Sequence, residues 1–288
     1  MDQPTEKPLG IGNIEASMPP EMALACEATG VEKANRDIIK LLVLGVLAGA
    51  FIAFGAMFMT VVTTGSDALP WGVAKLIGGL SFSLGLILVI VGGAELFTSD
   101  TLMIVAYASR RISIGSLLRA WVWVYIGNII GAFGTAALVF LSGQHEFSDG
   151  AVGKTALYVA STKAALPTDR VFFLAILCNV LVCLGVWMTY GAKSLSDKVV
   201  VIFLPAAAFV AAGFEHCIAN LYFMSYGLAV KTWAPPAFWT EIGKISSDYP
   251  ALTVSNAMHN IAVATVGNLV GGSLMVGIVY WFAYLRSR

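Results

Sequence analysis

Long apolar stretches separated by short polar segments dominate the pattern along the chain. Six stretches stand out, at residues 41–62, 71–94, 121–141, 171–189, 199–213 and, roughly, 257–285. A helix needs about 20 residues to cross a hydrocarbon core of about 30 Å, and most of the six reach that length. The pattern predicts an all-α integral membrane protein with six transmembrane helices.

Two of the six stretches are interrupted by polar residues. The second runs into the segment 95–100, ELFTSD, before apolar sequence resumes, and the fifth has 15 charge-free residues before Glu215 and His216. Fifteen helical residues span only about 23 Å, which is less than the hydrocarbon core. Spans 2 and 5 are therefore predicted to be broken helices.

The two interruptions belong to an internal repeat. Segment 93–96, GAEL, matches 213–216, GFEH, and segment 127–131, GNIIG, matches 267–271, GNLVG, in the same order. Two halves of three spans each must have opposite orientations, because an odd number of crossings reverses the chain. This predicts an inverted 3+3 repeat. Since lipid cannot satisfy non-helical backbone, the two breaks indicate an aqueous pathway between them.

Basic residues near the ends of the apolar stretches indicate the orientation of the chain. Ten lie on one side: Lys33, Arg36, Lys40, Arg110, Arg111, Arg119, Lys193, Lys198, Arg286 and Arg288. Five lie on the other: Lys154, Lys163, Arg170, Lys231 and Lys244. Because the cytoplasmic side carries the excess of Lys and Arg, both termini are predicted to be cytoplasmic.

Residues 1–40 are predicted to form a cytoplasmic N-terminal segment, followed by a single six-helix channel domain over residues 41–286. Pro19 and Pro20 open a run that suits a helix, and Gly30 follows it, which predicts a short helix ending before Gly30. This helix is either fixed on the membrane surface or a mobile plug at the pore. The segment lacks a basic start followed by an apolar run, so no cleavable signal peptide is expected.

Composition excludes several classes of function. Only 12% of the 288 residues are charged, too few for the surface of a soluble protein of this size. The net charge is zero and no block of like charge is present, so nucleic acid is not an expected partner. The cysteines lack metal-type spacing and suit packing. We expect no enzymatic activity, no metal and no cofactor.

Several polar residues fall at membrane depth. His216 can titrate near neutral pH inside an apolar segment, which favours a role in a transport pathway over a structural one. Glu95 and Glu215 occupy matching positions and are expected to hold the broken loops in shape. Asn268, like its counterpart Asn128, could help an anion shed water or could serve only as a bond between helices.

Five segments together resemble a known family: KLIGG at 75–79, FSLGLIL at 82–88, GAELFTS at 93–99, GFEHCIAN at 213–220 and GNLVGG at 267–272. From about residue 19 to 286 the chain is similar to the formate/nitrite transporter family and, within it, to formate channels. The resemblance implies a homopentamer in the bacterial inner membrane, with six spans arranged as in an aquaporin and a pore in each subunit. The acidic residue before Leu96 is glutamate here and often aspartate in formate channels.

The resemblance also implies roles for the residues at the centre of the pore. His216 matches the central histidine of the family. Thr98 matches its hydroxyl-bearing neighbour on the first broken loop. Asn268 matches an amide that bonds near the histidine.

Further positions match the two ends of the pathway. Leu96 and Phe209 match the cytoplasmic constriction, and Phe82 matches an aromatic residue that narrows the pore on the other side of the histidine. Lys163 and Asn179 match a polar pair near the outer vestibule, although by local pattern alone Lys163 is a surface charge and Asn179 an interhelical hydrogen-bonding residue.

These roles lead to a hypothesis for transport. A formate anion loses water at an apolar constriction and meets His216, with Thr98 and Asn268 as hydrogen-bond donors, and passes in either direction as the anion or as transiently protonated formic acid. The alternative substrates are nitrite and hydrosulfide, also small monovalent anions. A water or glycerol pore is less favoured, because the paired Asn-Pro-Ala signature is absent. A cytoplasmic metabolic enzyme is a further partner to consider.

Overall fold

The computed structural model describes residues 16–288, so that residues 1–15 of the predicted N-terminal segment lie outside the described residues. Within the described range the chain is helical and contains no β-strand. The first half contains α1 (Pro19–Ala34), α2 (Ile38–Thr63), α3 (Trp71–Val91), α4 (Phe97–Asp100), α5 (Ile104–Ala108) and α6 (Ile114–Leu141). The second half contains α7 (Ala151–Ala164), α8 (Thr168–Thr189), α9 (Leu195–Ala211), α10 (Cys217–Trp233), α11 (Pro236–Glu241), α12 (Val254–Leu269), a π-helical stretch (Val270–Ile278) and α13 (Val279–Tyr284).

Five helices among residues 16–288 are long and apolar enough to cross a membrane. They are α2, α3, α6, α8 and the continuous run Val254–Tyr284. Helix α9 has 17 residues, below the roughly 20 that a crossing needs. The all-α membrane fold is thus confirmed, whereas the count of six spans stays a prediction.

The boundary predicted for the N-terminal helix is wrong. Helix α1 begins at Pro19 as expected but continues through Gly30 to Ala34. Gly30 is a close-packing position inside the helix, because a Cβ there would lie 2.9 Å from the Cβ of Ala106. Cys26 on the same helix is buried, and burial raises the pKa of its thiol to about 12.

Helix α7 lies between the third and fourth apolar stretches of the sequence, at residues 121–141 and 171–189. It repeats α1, because Lys33 and Lys163 each stand in the last turn of a helix that is followed by a short turn and a long apolar helix, 130 positions apart. Equivalent backbone hydrogen bonds also relate the two halves. Glu95 N donates to Leu44 O at 3.1 Å, and Glu215 N donates to Leu174 O, the equivalent carbonyl 130 positions on, at 3.4 Å. The repeat therefore includes an additional short helix before each set of spans.

Glycines bring the long helices of each half into close contact. A Cβ at Gly127 of α6 would lie 2.6 Å from Leu42 O of α2. A Cβ at Gly267 of α12 would lie 2.6 Å from Phe172 O of α8. This close approach places Asn128 and Asn268, the next residues along these helices, against the backbone of the two breaks.

Candidate functional site at the two helix breaks

The backbone follows the same path at both interruptions. Helix α3 ends at Val91, Gly93 has a φ of +69°, and α4 starts after an extended Leu96. Helix α9 ends at Ala211, Gly213 has a φ of +73°, and α10 starts after an extended His216. A left-handed conformation suits glycine because it lacks a Cβ. We call 92–96 the first break and 212–216 the second break.

Asn128 closes the first break. Its Oδ1 accepts a hydrogen bond from Phe97 N at 2.9 Å, and its Nδ2 donates to Gly45 O at 2.8 Å and to Glu95 O at 2.9 Å. The side chain is fully buried. One amide therefore satisfies two backbone groups that the interrupted helix leaves without partners, Phe97 N and Glu95 O, and binds a carbonyl of α2 as well.

Asn268 closes the second break in the same way. Its Oδ1 accepts from Cys217 N at 2.9 Å, and its Nδ2 donates to Ala175 O at 2.7 Å and to Glu215 O at 3.0 Å. Its bonds to Glu215 O and Cys217 N lie on either side of His216, near which the resemblance places this amide. Both amide hydrogens bind backbone carbonyls, so neither is directed at an anion. Of the two alternatives for Asn268, the bond between backbone segments is the one observed.

His216 and Thr98 bring the two breaks together. His216 Nε2 lies 3.0 Å from Thr98 Oγ1, and both side chains are buried. Ala219 N donates to His216 Nδ1 at 3.1 Å, so that the neutral ring carries its proton on Nε2. That proton points to Thr98, at the meeting point of the first-half and second-half loops.

Two aromatic rings cover this pair on one side. Phe209 stacks on His216 with ring centroids 5.7 Å apart, and Phe82 meets Phe209 edge to face at 5.5 Å. The expected arrangement, with Phe82 and Phe209 on opposite sides of the histidine, is therefore wrong. Leu96 is fully buried at the other break, and Leu86, one turn beyond Phe82 on α3, is 1% exposed. Sequence reasoning missed Leu86, which only its helical spacing from Phe82 could have indicated.

A cavity of about 200 Å³ opens beside the aromatic pair. We call it the α7 chamber, because its lining includes residues of α7 together with residues of the second break and α10. Its charged and titratable lining residues include Lys75, Lys163, Glu215 and His216. The chamber thus leads from a charged region to the buried histidine.

Glu215 organises the charged side of this chamber. Its Oε1 accepts from Lys163 Nζ at 2.6 Å, while its Oε2 accepts from Asn220 Nδ2 at 2.7 Å and Asn260 Nδ2 at 3.2 Å. Asn260 also donates to Lys163 O at 3.0 Å, so the network ties α7 to the second break. Asn220 lies in the GFEHCIAN segment, but nothing in the local pattern marked Asn260.

Glu95 pairs with α1 instead. Its carboxylate lies 2.8 Å from Lys33 Nζ and also pairs with Arg36. Lys33 Nζ lies 2.5 Å from Asp100 Oδ1. Arg119 Nη2 completes the cluster by donating to Arg36 O at 3.1 Å.

Asn179 ties the segment that follows the first break to α12. Its Nδ2 donates to Thr98 O at 3.1 Å, to Thr101 Oγ1 at 3.1 Å and to Asn268 O at 2.7 Å. Lys163 binds Glu215, whereas the Asn179 amide bonds to Thr98, Thr101 and α12, and the role of the two residues at an outer vestibule stays a prediction. By local pattern Asn179 was an interhelical hydrogen-bonding residue, and these bonds are of that kind.

Both the sequence and the fold are similar to those of known proteins. A family model described as formate/nitrite transporter matches residues 20–282. The formate channel FocA of Escherichia coli strain K12 is 43% identical over 272 residues, which cover 94% of this chain and 95% of that protein. FocA of Haemophilus influenzae is 39% identical over 91% of this chain and 93% of its own. A solved pentameric formate channel with formate bound aligns with a TM-score of 0.83 at 43% identity, covering 86% of this chain and 98% of that one.

Proposed function

Because the chain belongs to the formate/nitrite transporter family, we propose that it is a formate channel in which each protomer has its own pore. It is a transporter rather than an enzyme, as its family is. The observation that carries the proposal is the meeting of Thr98, just after the first break, with His216 of the second break, behind Phe82 and Phe209.

Loss of water is the main barrier to a small anion at this place. Formate is almost wholly ionised at neutral pH, since a carboxyl group titrates near 4 in water. An ion in an apolar constriction costs several kcal/mol unless hydrogen bonds replace its hydration shell. Phe82 and Phe209 form the apolar constriction on the α7 side, and Leu86 with Leu96 would form one on the α1 side.

His216 supplies the compensating interaction in our proposal. Its Nε2–H is directed at Thr98 Oγ1, so an arriving carboxylate oxygen can take the place of the hydroxyl as acceptor. The Thr98 hydroxyl then donates to the same anion. In one version the ring first takes up a proton on Nδ1 from the aqueous side, in place of the hydrogen bond from Ala219 N. The imidazolium then gives its Nε2 proton to formate, formic acid crosses the second constriction uncharged, and the ring is left neutral. In the other version the neutral ring only donates its Nε2–H hydrogen bond and the anion crosses; both versions work in either direction.

The pentameric state of the solved relative supports the proposed assembly, and the excess of basic residues on one side of the apolar stretches supports the proposed orientation. We propose a homopentamer in the bacterial inner membrane, embedded in lipid, with both termini cytoplasmic and the α7 chamber on the outer side. Residues 41–286 would form the channel domain and residues 1–40 the cytoplasmic segment. A cytoplasmic metabolic enzyme as a partner stays a prediction.

Anion flux into liposomes that carry the purified protein tests the proposal. Formate, nitrite, hydrosulfide and chloride are compared at pH 7 and pH 5, and we expect formate flux well above the others. His216→Phe should lower formate flux about ten- to a hundredfold, as loss of a hydrogen bond to a charged group implies, and should remove its pH dependence. The matched control is His259→Phe, because His259 is exposed.

Two outcomes would change the assignment. Nitrite or hydrosulfide flux equal to that of formate would keep the channel and replace the substrate. A His216→Phe protein with the parent's rate and pH profile would remove the proposed mechanism.

A further inference from the structure

The α7 chamber contains a second lysine that the proposed mechanism does not use. Lys75 lies in the first turns of α3 and lines the chamber together with Lys163 and His216. It precedes Phe82 by seven residues, two helical turns, so both side chains project from the same face of α3 at levels about 10 Å apart. Lys75 is therefore placed farther out than the aromatic pair.

The two lysines differ in their charge balance. Lys163 is neutralised by Glu215 at 2.6 Å, and Glu215 is the one carboxylate among the residues that line the chamber. Among residues 16–288, no carboxylate lies within 4 Å of Lys75 Nζ. With His216 neutral, Lys75 supplies the net positive charge of the chamber.

Trp71 holds this charge without cancelling it. Lys75 Nζ lies 5.7 Å from the centroid of the Trp71 ring. A cation over an aromatic ring is fixed by the ring's negative face but keeps its full charge, whereas a carboxylate partner would neutralise it. Trp71 is itself largely exposed, as is usual for tryptophan near a membrane interface.

We propose that Lys75 is the anion-capturing residue of the α7 chamber, a binding group distinct from the Lys163–Glu215 pair. The inference rests on the proposed function. A single unneutralised charge at the wide end of a channel with low-dielectric walls raises the local anion concentration. The anion then reaches the aromatic constriction from a bound position rather than directly from bulk water.

Formate flux entering from the α7 side, measured against formate concentration at about 10 mM and about 150 mM ionic strength, tests this inference. At the lower ionic strength, where the Debye length is about 30 Å, Lys75→Gln should raise the half-saturating concentration roughly three- to tenfold, with a maximal rate within about twofold of the parent's. The salt dependence should flatten. Lys75→Arg should restore both properties.

Lys154→Gln is the matched control, because Lys154 is an exposed lysine on α7 and should leave flux unchanged. Several results overturn the inference: an unchanged half-saturating concentration in Lys75→Gln, a fall in the maximal rate alone, an equal effect in Lys154→Gln, or no rescue by arginine. A parent protein that carries no formate would instead defeat the proposed function and this inference with it.

Discussion

The two breaks have the same backbone conformation but differ in the side chain that follows the glutamate. Asn128 and Asn268 make equivalent sets of three hydrogen bonds to backbone groups, so each half solves the problem of an interrupted helix in the same way. The extended residue that follows the glutamate is Leu96 in the first half and His216 in the second. The repeat thus provides two equivalent loops, and one substitution makes only one of them able to exchange a proton.

The charged clusters around Glu95 and Glu215 also differ between the two halves. Glu95 pairs with two cations, Lys33 and Arg36; Asp100 also pairs with Lys33, and the exposed Glu32 pairs with Arg36. Glu215 has one cation, Lys163, and its remaining partners are amides. If Glu95 is neutralised, Lys33 therefore keeps a carboxylate partner, the spare acid Asp100. Among the described residues Lys163 has no second carboxylate partner besides Glu215.

Removing the two asparagines tests the shared part of this comparison and should have the largest effect. Asn128→Ala and Asn268→Ala each leave two buried backbone groups of a break without partners and remove a bond to a neighbouring helix, at a cost of about 2–4 kcal/mol in the free energy of unfolding. Thermal unfolding in detergent should show similar losses in both proteins. Formate flux should fall further in Asn268→Ala, because Asn268 holds the loop that carries His216.

Asn256→Ala serves as the control for this pair. Asn256 is exposed, and its Nδ2 donates to the single carbonyl of Ala251. An Asn128→Ala or Asn268→Ala protein as stable as this control would show that the backbone groups find other partners. The two breaks would then not depend on their amides.

Neutralising the glutamates tests the difference between the clusters. Glu215→Gln leaves Lys163 without a counter-ion and should cost about 2–4 kcal/mol, whereas Glu95→Gln leaves Lys33 paired with Asp100 and should cost about 1–2 kcal/mol. Thermal midpoints of the two proteins measure the contrast. Adding Lys163→Met to Glu215→Gln should recover part of the loss, since the unpaired charge is then removed. Equal losses in the two single variants would contradict the idea of a spare acid.

The larger features of the fold could be predicted because they depend on local pattern. Apolar length predicted the long helices, and Glu95 and Glu215 marked the two places where the helices stop. The repeat of GNIIG in GNLVG identified Asn128 and Asn268 as equivalent residues. These signals arise within single segments of the chain and do not depend on which helices become neighbours.

The missing or wrong predictions concern contacts between distant segments. Helix α7 mixes polar and apolar residues over only 14 positions, so its apolar face has meaning only against its partner helices. The pairing of Phe82 with Phe209 depends on how α3 meets α9, which no local pattern reports. Lys75 was visible only as part of the KLIGG segment, and the α7 chamber that gives it meaning forms in three dimensions.

The short helices α1 and α7 are held in place by different contacts, and this difference predicts a modest effect of pH on stability. The last turn of α1 is tied by ion pairs, whereas the first turns of α7 pack beside His145. The His145 ring stacks on Phe140 at 4.8 Å and meets Phe238 edge to face at 5.5 Å. Among the described residues neither ring nitrogen has a hydrogen-bond partner, and Glu146 Oε1 lies 3.7 Å from Nε2.

Burial lowers the pKa of His145, although the nearby Glu146 opposes this shift. The unfolded chain binds a proton below about pH 6.5 while the folded chain binds it less readily, so stability falls as the pH drops below that value. Between pH 7.5 and 5.5 the thermal midpoint of the parent should fall about 1–3 °C further than that of His145→Phe, which keeps an aromatic ring against Phe140 and Phe238. His259→Phe should retain the parent's decline, because that histidine is exposed. If His145→Phe declines as steeply as the parent, the acid sensitivity must come from the carboxylates of the two clusters, and α7 would be held no differently from α1.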